Sequence, residues 1–305
     1  MEARVSIAGW KTYLPSMVLL LALAGLLTWS LNAGVAVRSG LPPLTVIHDV
    51  VLVIIGFVAG VLGGLIGTGG CSVMLPAIHF WMGYSAPMAV GTTLFAVIFT
   101  ALSGGYGHLV RRNLDIRATL WLGLAGIAGV VLGSWLFLFL TAQSQLLGLI
   151  LGLAFLWPAG RMIWEGFFKP KAHAQEGATI SGAGGAFSLF GFVIGVLTGV
   201  VGLGGGYALV PGLIYLFGAP VYVTMGTSLA TMIPLAVVGG GIKLVQGYVA
   251  LGAGLFLAMG TIVGAQLGAA IIKRFRPATL KLIFGLYFLY VSVKFITAFF
   301  GIMIW

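Results

Sequence analysis

The stretch GVLGGLIGTGGCSVMLP at Gly60–Pro76 recurs 135 residues later as GVLTGVVGLGGGYALVP at Gly195–Pro211. The same shift then holds without a gap through a series of small residues. These are the pairs Gly83/Gly218, Gly91-Thr92/Gly226-Thr227, Gly104-Gly105/Gly239-Gly240, Gly129/Gly264 and Gly133/Gly268. The chain is therefore an internal duplication, and the two glycine-rich stretches occupy equivalent places in it.

The composition indicates that lipid is the solvent of this chain. Of its 305 residues, 60% are hydrophobic and only 7% are charged, whereas soluble domains are roughly 25% charged. Because a lipid-exposed strand cannot pair its backbone, the spanning segments are predicted to be helices. The predicted fold class is an all-α integral membrane protein, a polytopic helical bundle in the lipid bilayer.

The net charge of +10 does not indicate a nucleic-acid partner. The basic residues are scattered in short loops between apolar runs, and no nucleic-acid motif is present. The single cysteine, Cys71, excludes an internal disulfide and a multi-cysteine metal site. Without a Ser/His/Asp or Cys/His spacing or paired carboxylates, the sequence predicts no catalytic residue, no metal and no cofactor.

Apolar runs follow one another along the whole chain, and most reach the ~20 residues that span hydrocarbon. Two runs are too short, because at ~1.5 Å per residue each extends only about 20 Å against a core of ~30 Å. These two are either half-helices after a break or the return arms of re-entrant hairpins. The runs cover 13–37, 46–67, 70–82, 86–109, 118–141, 145–168, 184–202, 205–217, 221–244, 251–272 and 279–304.

Each copy contains one long, one short and then three long segments. The number of crossings is odd whether the short segment crosses or re-enters, so the copies must have opposite orientations in the bilayer. Two inverted repeats of this kind form many secondary transporters. The predicted organisation is an N-terminal helix and loop at 1–45, a first repeat at 46–168, a cytoplasmic linker at 169–183 and a second repeat at 184–305.

The loop charges agree with this inversion, since basic loops stay on the cytoplasmic side. Arg111-Arg112-Asn113 of the first copy corresponds to uncharged Gln246-Gly247-Tyr248 of the second. With a cytoplasmic N-terminus, the inner loops carry Arg4, Lys11, Arg111, Arg112, Arg117, Lys169, Lys171, Lys273, Arg274, Arg276 and Lys281, and the outer loops carry Arg38 alone. This pattern predicts a multi-pass protein of a bacterial-type plasma (inner) membrane. A cleaved signal peptide is the alternative for 13–37, although signal cores span only ~7–15 residues.

The glycine motifs are the best candidates for a binding site. Each lies between a long run and a short one, where glycine permits the unusual dihedral angles of a helix break. A broken helix exposes free N–H groups at the start of its second part, and these groups and the helix dipole attract anions. Inversion brings both breaks to one midplane site. The alternative is that the glycines only allow close helix packing.

The paired motifs resemble the TauE/SafE sulfite exporter family of membrane anion transporters. The blocks that carry the resemblance are Gly69–Pro76 and Gly202–Pro211, with G-T-T at Gly91–Thr93 and G-T-S at Gly226–Ser228. The resemblance covers about residues 46–300 and implies transport of sulfite, sulfonates such as sulfoacetate, or related anions. The chain departs from this pattern at Cys71, where the second copy has Gly206, and in the additional helix at 13–37.

Polar side chains at membrane depth complete the predicted substrate-binding set. His108 and Lys243 are equivalent positions, and their cations either balance a bound anion or snorkel to water. Thr92, Thr93, Thr227 and Ser228 begin the third element of each copy, and their hydroxyls either donate to sulfonate oxygens or bond helix to helix. Cys71 either takes part or only replaces a glycine. The glycine motifs contribute Gly69, Gly70, Cys71, Ser72, Gly204, Gly205, Gly206 and Tyr207.

The chain has only five carboxylates, and the one nearest mid-span, Glu165, is predicted to pair with Arg161 at i, i+4. A buried-carboxylate proton relay or sodium cage is therefore not expected. An inside-negative potential already favours anion exit by ~2.3 kcal/mol per charge per 100 mV. The sequence thus predicts export of sulfite or an organosulfonate such as a taurine-like compound by alternating access. An anion channel and a non-transporting membrane scaffold are the alternatives, and homo-oligomer formation stays open.

Overall fold

The computed structural model describes residues 14–32, 42, 45–168, 179–271 and 277–302, and the regular structure in these ranges is entirely helical. The predicted basic residues at 169, 171, 273, 274 and 276 and most of the predicted linker lie outside the described residues. The eleven α-helices of these described ranges match the predicted runs. They are α1 (Leu14–Asn32), α2 (Val46–Ile66), α3 (Cys71–Pro76), α4 (Ala86–Val110), α5 (Ile116–Thr141), α6 (Ser144–Phe168), α7 (Gly184–Val201), α8 (Gly206–Leu216), α9 (Val221–Val245), α10 (Leu251–Ile271) and α11 (Pro277–Phe299).

Seven helices in the described part of the chain are long and apolar enough to cross a membrane, namely α2, α4, α5, α6, α7, α9 and α10. Many large apolar side chains on their outer surfaces are exposed, including Leu124, Trp135 and Leu189. Such a surface is expected of helices that contact lipid. The all-α polytopic fold class predicted from composition is confirmed.

The short segment after α2 is the return arm of a re-entrant hairpin. Gly67 ends α2 with φ 79° and Gly70 caps α3 with φ 76°, so the chain reverses over four residues. Gly70 lies against the backbone of Ala59 in α2. After α3, the ring of Tyr84 lies 6.2 Å from the ring of His48, at the beginning of α2. The hairpin therefore returns to the end of the bundle where it started.

The return arm changes its winding at a proline. Pro76 has no N–H to donate to the carbonyl one turn back, and residues Ala77–Trp81 continue α3 as a π-helical turn. The ring of His79 on this turn bonds through Nδ1 to the carbonyl of Tyr84 at 2.7 Å. These contacts close the end of the first hairpin.

The second copy forms the same hairpin from α7 and α8. Gly202 ends α7 with φ 70° and Gly205 caps α8 with φ 80°. The ring of Phe217, just after α8, stacks on Phe187 near the start of α7 with centroids 4.7 Å apart. The short helix thus returns along α7, as α3 returns along α2.

Each hairpin packs on the other half of the chain. Gly60 of α2 lies against the backbone of Thr261 in α10, and the equivalent Gly195 of α7 lies against Gly126 in α5. Because an added Cβ would stand 2.6 Å from the Thr261 carbonyl oxygen, the α2 backbone touches that of α10 directly. The glycines predicted to allow close packing do so at these two interfaces.

The equivalent helices α4 and α9 run in opposite directions. Gly226 near the start of α9 lies against Asn113 just after α4, and Gly91 near the start of α4 lies against Tyr248 just after α9. We call the end of the bundle where α2 and α4 begin the first face, and the end where α7 and α9 begin the second face. An opposite threading of the halves through the bilayer stays a prediction, which this antiparallel arrangement supports.

The additional helix α1 is attached to the bundle by buried polar groups. The amide of Gln266 in α10 donates to the hydroxyl of Ser16 at 3.0 Å and to the carbonyl of Ser103 at 2.8 Å. The hydroxyl of Ser103 donates in turn to the carbonyl of Ile262 at 2.8 Å. Helix α1, which lies outside the duplicated unit, is therefore hydrogen-bonded to α10 through Gln266, which also bonds to α4.

Replacing Gln266 with leucine is expected to loosen α1. Hydrogen bonds between membrane helices contribute about 0.6 kcal/mol on average and up to about 1.7, so the free energy of unfolding should fall by about 1 kcal/mol. Thermal unfolding in detergent measures this loss. In a chain that lacks residues 1–32 the same substitution should cost less, and an equal loss with and without α1 would contradict the proposed attachment.

Candidate functional site

The tips of the two hairpins meet inside the bundle. The Cβ position of Gly206 lies 2.5 Å from Cα of Thr68, so a side chain at this position has no space. The thiol of Cys71, at the start of α3, donates to the carbonyl of Leu203 in the opposite tip. Buried Cys71 thus links the two tips through this hydrogen bond. Cysteine in place of the glycine of the second copy therefore has a structural role.

Two equivalent glycines face the same pair of side chains. Gly69 and Gly204 have φ angles of 73° and 67°, a region that disfavours residues with a Cβ. A Cβ on either glycine would meet Met232 and Val97, which are themselves equivalent residues of α9 and α4. The centre of the bundle is therefore built nearly symmetrically from both copies, with the two turns side by side.

Two equivalent hydroxyls in the first turns after the breaks have no hydrogen-bond partner in the described part of the chain. Ser72 of α3 and Tyr207 of α8 are 1% and 5% exposed. Neither hydroxyl finds a partner among the residues that the structure describes. Most buried polar side chains are hydrogen-bonded, so an unpaired one needs an explanation. A bound guest with acceptor oxygens is one such explanation.

The start of α8 places the first N–H groups of a helix near these hydroxyls. Gly205 provides no side-chain cap, and the first N–H groups bonded within the turn are those of Ala208 and Leu209, which donate to the Gly205 carbonyl. The helix dipole places partial positive charge at this end. The α3 arm leads away from the tips toward the first face and α8 toward the second, so the two short segments start at one place and diverge.

The predicted threonine and serine hydroxyls hold helix ends. Thr92 accepts from the N–H of Ala250, which precedes α10, at 2.9 Å, and Thr227 accepts from the N–H of Asp115, which precedes α5, at 3.0 Å. Thr93 donates to the carbonyl of Ala89 within its own helix. Ser228 donates to the carbonyl of Gly67 at 2.8 Å and so supports the first hairpin tip. Only Ser228 among these four bonds to a tip.

His108 and Lys243 lie at opposite ends of the bundle. In the antiparallel pair of α4 and α9, Gly240 of α9 lies against Phe95 of α4, which places Lys243 level with Thr92. His108 is about 16 positions further along α4, or roughly 24 Å along the axis. The His108 ring bonds through Nε2 to the carbonyl of Gly64 at 3.0 Å. Lys243 is fully buried, with Nζ 3.3 Å from the ring centroid of Phe137 and no hydrogen-bond partner in the described ranges. They do not contact one anion together.

A cavity joins the hairpin tips to a cation that the sequence did not single out for the site. Thr68 and Tyr207 line its inner part, and Arg161 of α6 and Tyr215 of α8 line its part toward the second face. Its volume is about 40 Å³, on the scale where one water needs roughly 10–15 Å³. It is therefore large enough for a few waters or a small ion, and its wall is almost entirely apolar. The glycine motif that contains Thr68 could have predicted its place at the site. For Arg161 the sequence offered only its i, i+4 pairing with Glu165.

The predicted pairing of Arg161 with Glu165 is confirmed. The Arg161 Nε lies 2.9 Å from Oε1 of Glu165. Tyr215 donates its hydroxyl to the other oxygen of the same carboxylate, and the guanidinium carbon lies 4.2 Å from the Tyr215 ring centroid. This carboxylate is therefore engaged on both oxygens, beside the cavity.

In the described part of the chain, seven helices are long and apolar enough to cross a membrane, and two re-entrant hairpins meet among them, which indicates a multi-pass membrane protein. The family model described as sulfite exporter TauE/SafE matches residues 52–295. The chain belongs to this family, and the resemblance predicted from the paired glycine motifs is confirmed. The family implies a small anionic substrate and a lipid environment.

Curated relatives carry names of the same kind. The chain is similar to the probable membrane transporter protein YunE of Bacillus subtilis (strain 168), with 27% identity over 77% of this chain and 92% of the relative. It is 29% identical to YdhB of the same organism, over 75% and 93% of the two chains. It is 26% identical to MJ0441 of Methanocaldococcus jannaschii, over 76% and 89%. Both are also named probable membrane transporter proteins. No solved structure matches the chain significantly.

Proposed function

We propose that this protein exports a small sulfur oxyanion, sulfite or an organosulfonate such as sulfoacetate, by alternating access. The observation that carries the proposal is the meeting of two glycine-broken hairpin tips with the unpaired, buried hydroxyls of Ser72 and Tyr207. Family membership supports the substrate class. The hydroxyls lie at equivalent positions of the two copies, as expected of a site formed on the axis between them.

The chemistry of the tips suits an oxyanion. Each sulfonate or sulfite oxygen accepts hydrogen bonds, and Ser72 and Tyr207 each offer one O–H donor. The N–H groups of Gly206 and Tyr207, the first of α8, have no side-chain cap from Gly205 and add donors in the direction of the helix dipole. The predicted contributors Gly69, Gly70, Cys71, Gly204 and Gly205 supply the turn rather than side-chain contacts in this proposal.

The arrangement of the halves supports alternating access. The hairpins enter from opposite faces, and their tips overlap at the centre, so a rocking of one half against the other would expose the site to each face in turn. We assign the second face to the cytoplasm, because Arg111, Arg112 and Arg117 lie at that end and basic loops stay inside. The N-terminus then lies in the cytoplasm, and the membrane potential favours exit of the anion.

Binding in detergent tests the proposal directly. The purified chain is titrated with sulfite, sulfoacetate, taurine, sulfate and thiosulfate, with choline as a cationic control. We expect saturable binding of at least one sulfur oxyanion and counter-transport of the same anion in liposomes. Binding of none of them, or a steady conductance without saturation, would rule out the proposed carrier.

Replacing Lys243 with methionine is expected to separate stability from transport. The Lys243 amine is buried without a hydrogen-bond partner in the described residues, and burying an unpaired polar group is costly. Methionine has a similar length and contacts aromatic rings favourably. The unfolding midpoint should stay constant or rise, while oxyanion flux falls about tenfold because the amine that attracts the anion at the first-face exit is lost.

Thermal unfolding and liposome flux measure the two effects on the same preparation. His108→Gln provides the comparison at the second face, since His108 is the equivalent residue. A Lys243→Met chain that transports at the normal rate would remove Lys243 from the proposed path.

A further inference from the structure

The cavity that begins at the hairpin tips ends at a guanidinium whose position is fixed by its neighbours. Nε of Arg161 bonds to Oε1 of Glu165 at 2.9 Å, and the ring of Tyr215 lies under the guanidinium, 4.2 Å from centroid to Cζ. Tyr215 also donates its hydroxyl to Glu165. One edge of the Arg161 fork is therefore occupied, and its plane is held against an aromatic ring.

The other edge of the fork is available. The Arg161 side chain is 45% exposed, whereas that of Glu165 is 6% exposed. The two terminal nitrogens of Arg161 have no hydrogen-bond partner among the residues described by the structure. A guanidinium presents parallel N–H donors that match two oxygens of one oxyanion, a geometry that a lysine cannot reproduce.

The size of the cavity favours a small ligand over a larger one. Between Arg161 and the tips, the cavity wall is almost entirely apolar, with Met162, Val210 and Phe288, and Thr68 and Tyr207 line its inner part. A volume of about 40 Å³ leaves space for a small charged group rather than a bulky molecule. The cavity also connects Arg161 with Tyr207, one of the two central hydroxyl residues.

We propose that Arg161 is the entry subsite that recognises the oxyanion at the second face before it reaches the hairpin tips. The contact is bidentate, from the free edge of the guanidinium to two oxygens of sulfite or a sulfonate. Glu165 and Tyr215 are positioning residues that hold the fork in this orientation. This assignment rests on the proposed function, since it names a second subsite on the same path.

Sided kinetics in liposomes test the assignment. We compare Arg161→Gln, which removes the charge, with Arg161→Lys, which keeps the charge and loses the fork. Both should raise KM for sulfite presented at the second face by about tenfold or more, since hydrogen bonds to charged groups are individually strong. KM at the first face should stay unchanged, because the subsite is not on that side. A merely structural role would change both faces alike.

A matched control removes a cation from another helix of the bundle. Lys294 of α11 bonds to the hydroxyl of Tyr290 at 3.3 Å and lies over the ring of Phe80, away from the cavity. Lys294→Gln should leave both KM values unchanged. Glu165→Gln keeps a group that can bond Tyr215 and Arg161 but lacks the charge, and it should raise the second-face KM by a smaller factor. If Arg161→Gln does not fold, Glu165→Gln serves as the test variant in its place.

The outcomes separate this inference from the proposed function. If the unmodified chain shows no saturable transport of sulfite or sulfoacetate, the proposed function fails and this subsite with it. If the unmodified chain saturates normally and Arg161→Lys and Arg161→Gln keep its second-face KM, only the subsite fails. A wild-type KM in Arg161→Lys alone would overturn bidentate recognition, and an equal shift in Lys294→Gln would reduce the effect to general charge.

Discussion

The combined replacement Ser72→Ala and Tyr207→Phe is expected to weaken sulfite binding by about a hundredfold or more. Each change removes one O–H donor to a charged acceptor, and such hydrogen bonds contribute about 1.5–3 kcal/mol each. Both hydroxyls are buried and unpaired among the described residues, so their removal leaves no acceptor of this chain unsatisfied. Isothermal titration in detergent measures the change in Kd.

The matched control removes the same two atom types away from the tips. Ser103 donates to the carbonyl of Ile262 at 2.8 Å, and Tyr248 donates to the hydroxyl of Thr141 at 3.1 Å. The double replacement Ser103→Ala and Tyr248→Phe should lower stability slightly and leave Kd unchanged. If the tip variant keeps the normal Kd, or if the control variant loses affinity equally, the hairpin tips are not the binding site.

Alanine at Gly60 or Gly195 is expected to destabilise the protein severely. A Cβ at Gly60 would stand 2.6 Å from the carbonyl oxygen and 2.7 Å from Cα of Thr261, and a Cβ at Gly195 would stand 2.9 Å from the carbonyl carbon of Gly126. The obstacles are backbone atoms, so α2 must move off α10, or α7 off α5. Overpacking of this kind typically costs about 1–3 kcal/mol and occasionally more.

Alanine at Gly160 is expected to have the opposite effect on stability. A Cβ there meets nothing within 4 Å, and alanine is favoured over glycine in a helix by about 1 kcal/mol. Gly160→Ala should therefore keep or raise the unfolding midpoint, while Gly60→Ala and Gly195→Ala lower it by similar amounts. Equal midpoints in all three variants would show that the two interfaces are not close-packed.

The helices could be predicted because the segments that contact lipid or the core are continuous apolar runs in the sequence. The duplicated glycines also marked where the breaks occur. The sequence did not decide whether the segment after Gly70 crosses or returns, since an apolar run of that length fits both. The position of Tyr84 beside His48 decides it, and that contact joins residues whose pairing no local pattern encodes.

Equivalent positions in the sequence did not all become neighbours in space. An axis between two antiparallel copies brings together only residues near it, as it does Gly69 and Gly204. His108 and Lys243 lie far from that axis, near the ends of α4 and α9. Because these helices are antiparallel, the two residues lie at opposite ends of the bundle. The hydroxyls of Thr92 and Thr227 lie beside the starts of α10 and α5. The N–H groups of Ala250 and Asp115, which precede those helices, donate to them.

Arg161 was predicted as half of an ion pair and not as part of a site. Its pairing with Glu165 is local, within one helix, and follows from spacing. Its position beside the cavity depends on how α6 packs against α8 and the first hairpin tip. That packing is tertiary, and the sequence of α6 alone carries no sign of it.

The orientation of the two halves is tested most directly by labelling one cysteine at a time from outside intact cells. Arg112→Cys lies in the loop after α4 and Gln246→Cys in the equivalent loop after α9, while the native Cys71 is buried and sets the background. We predict that an impermeant thiol reagent labels Gln246→Cys in intact cells and Arg112→Cys only after permeabilisation. Labelling of both loops from the same side would contradict the inverted arrangement.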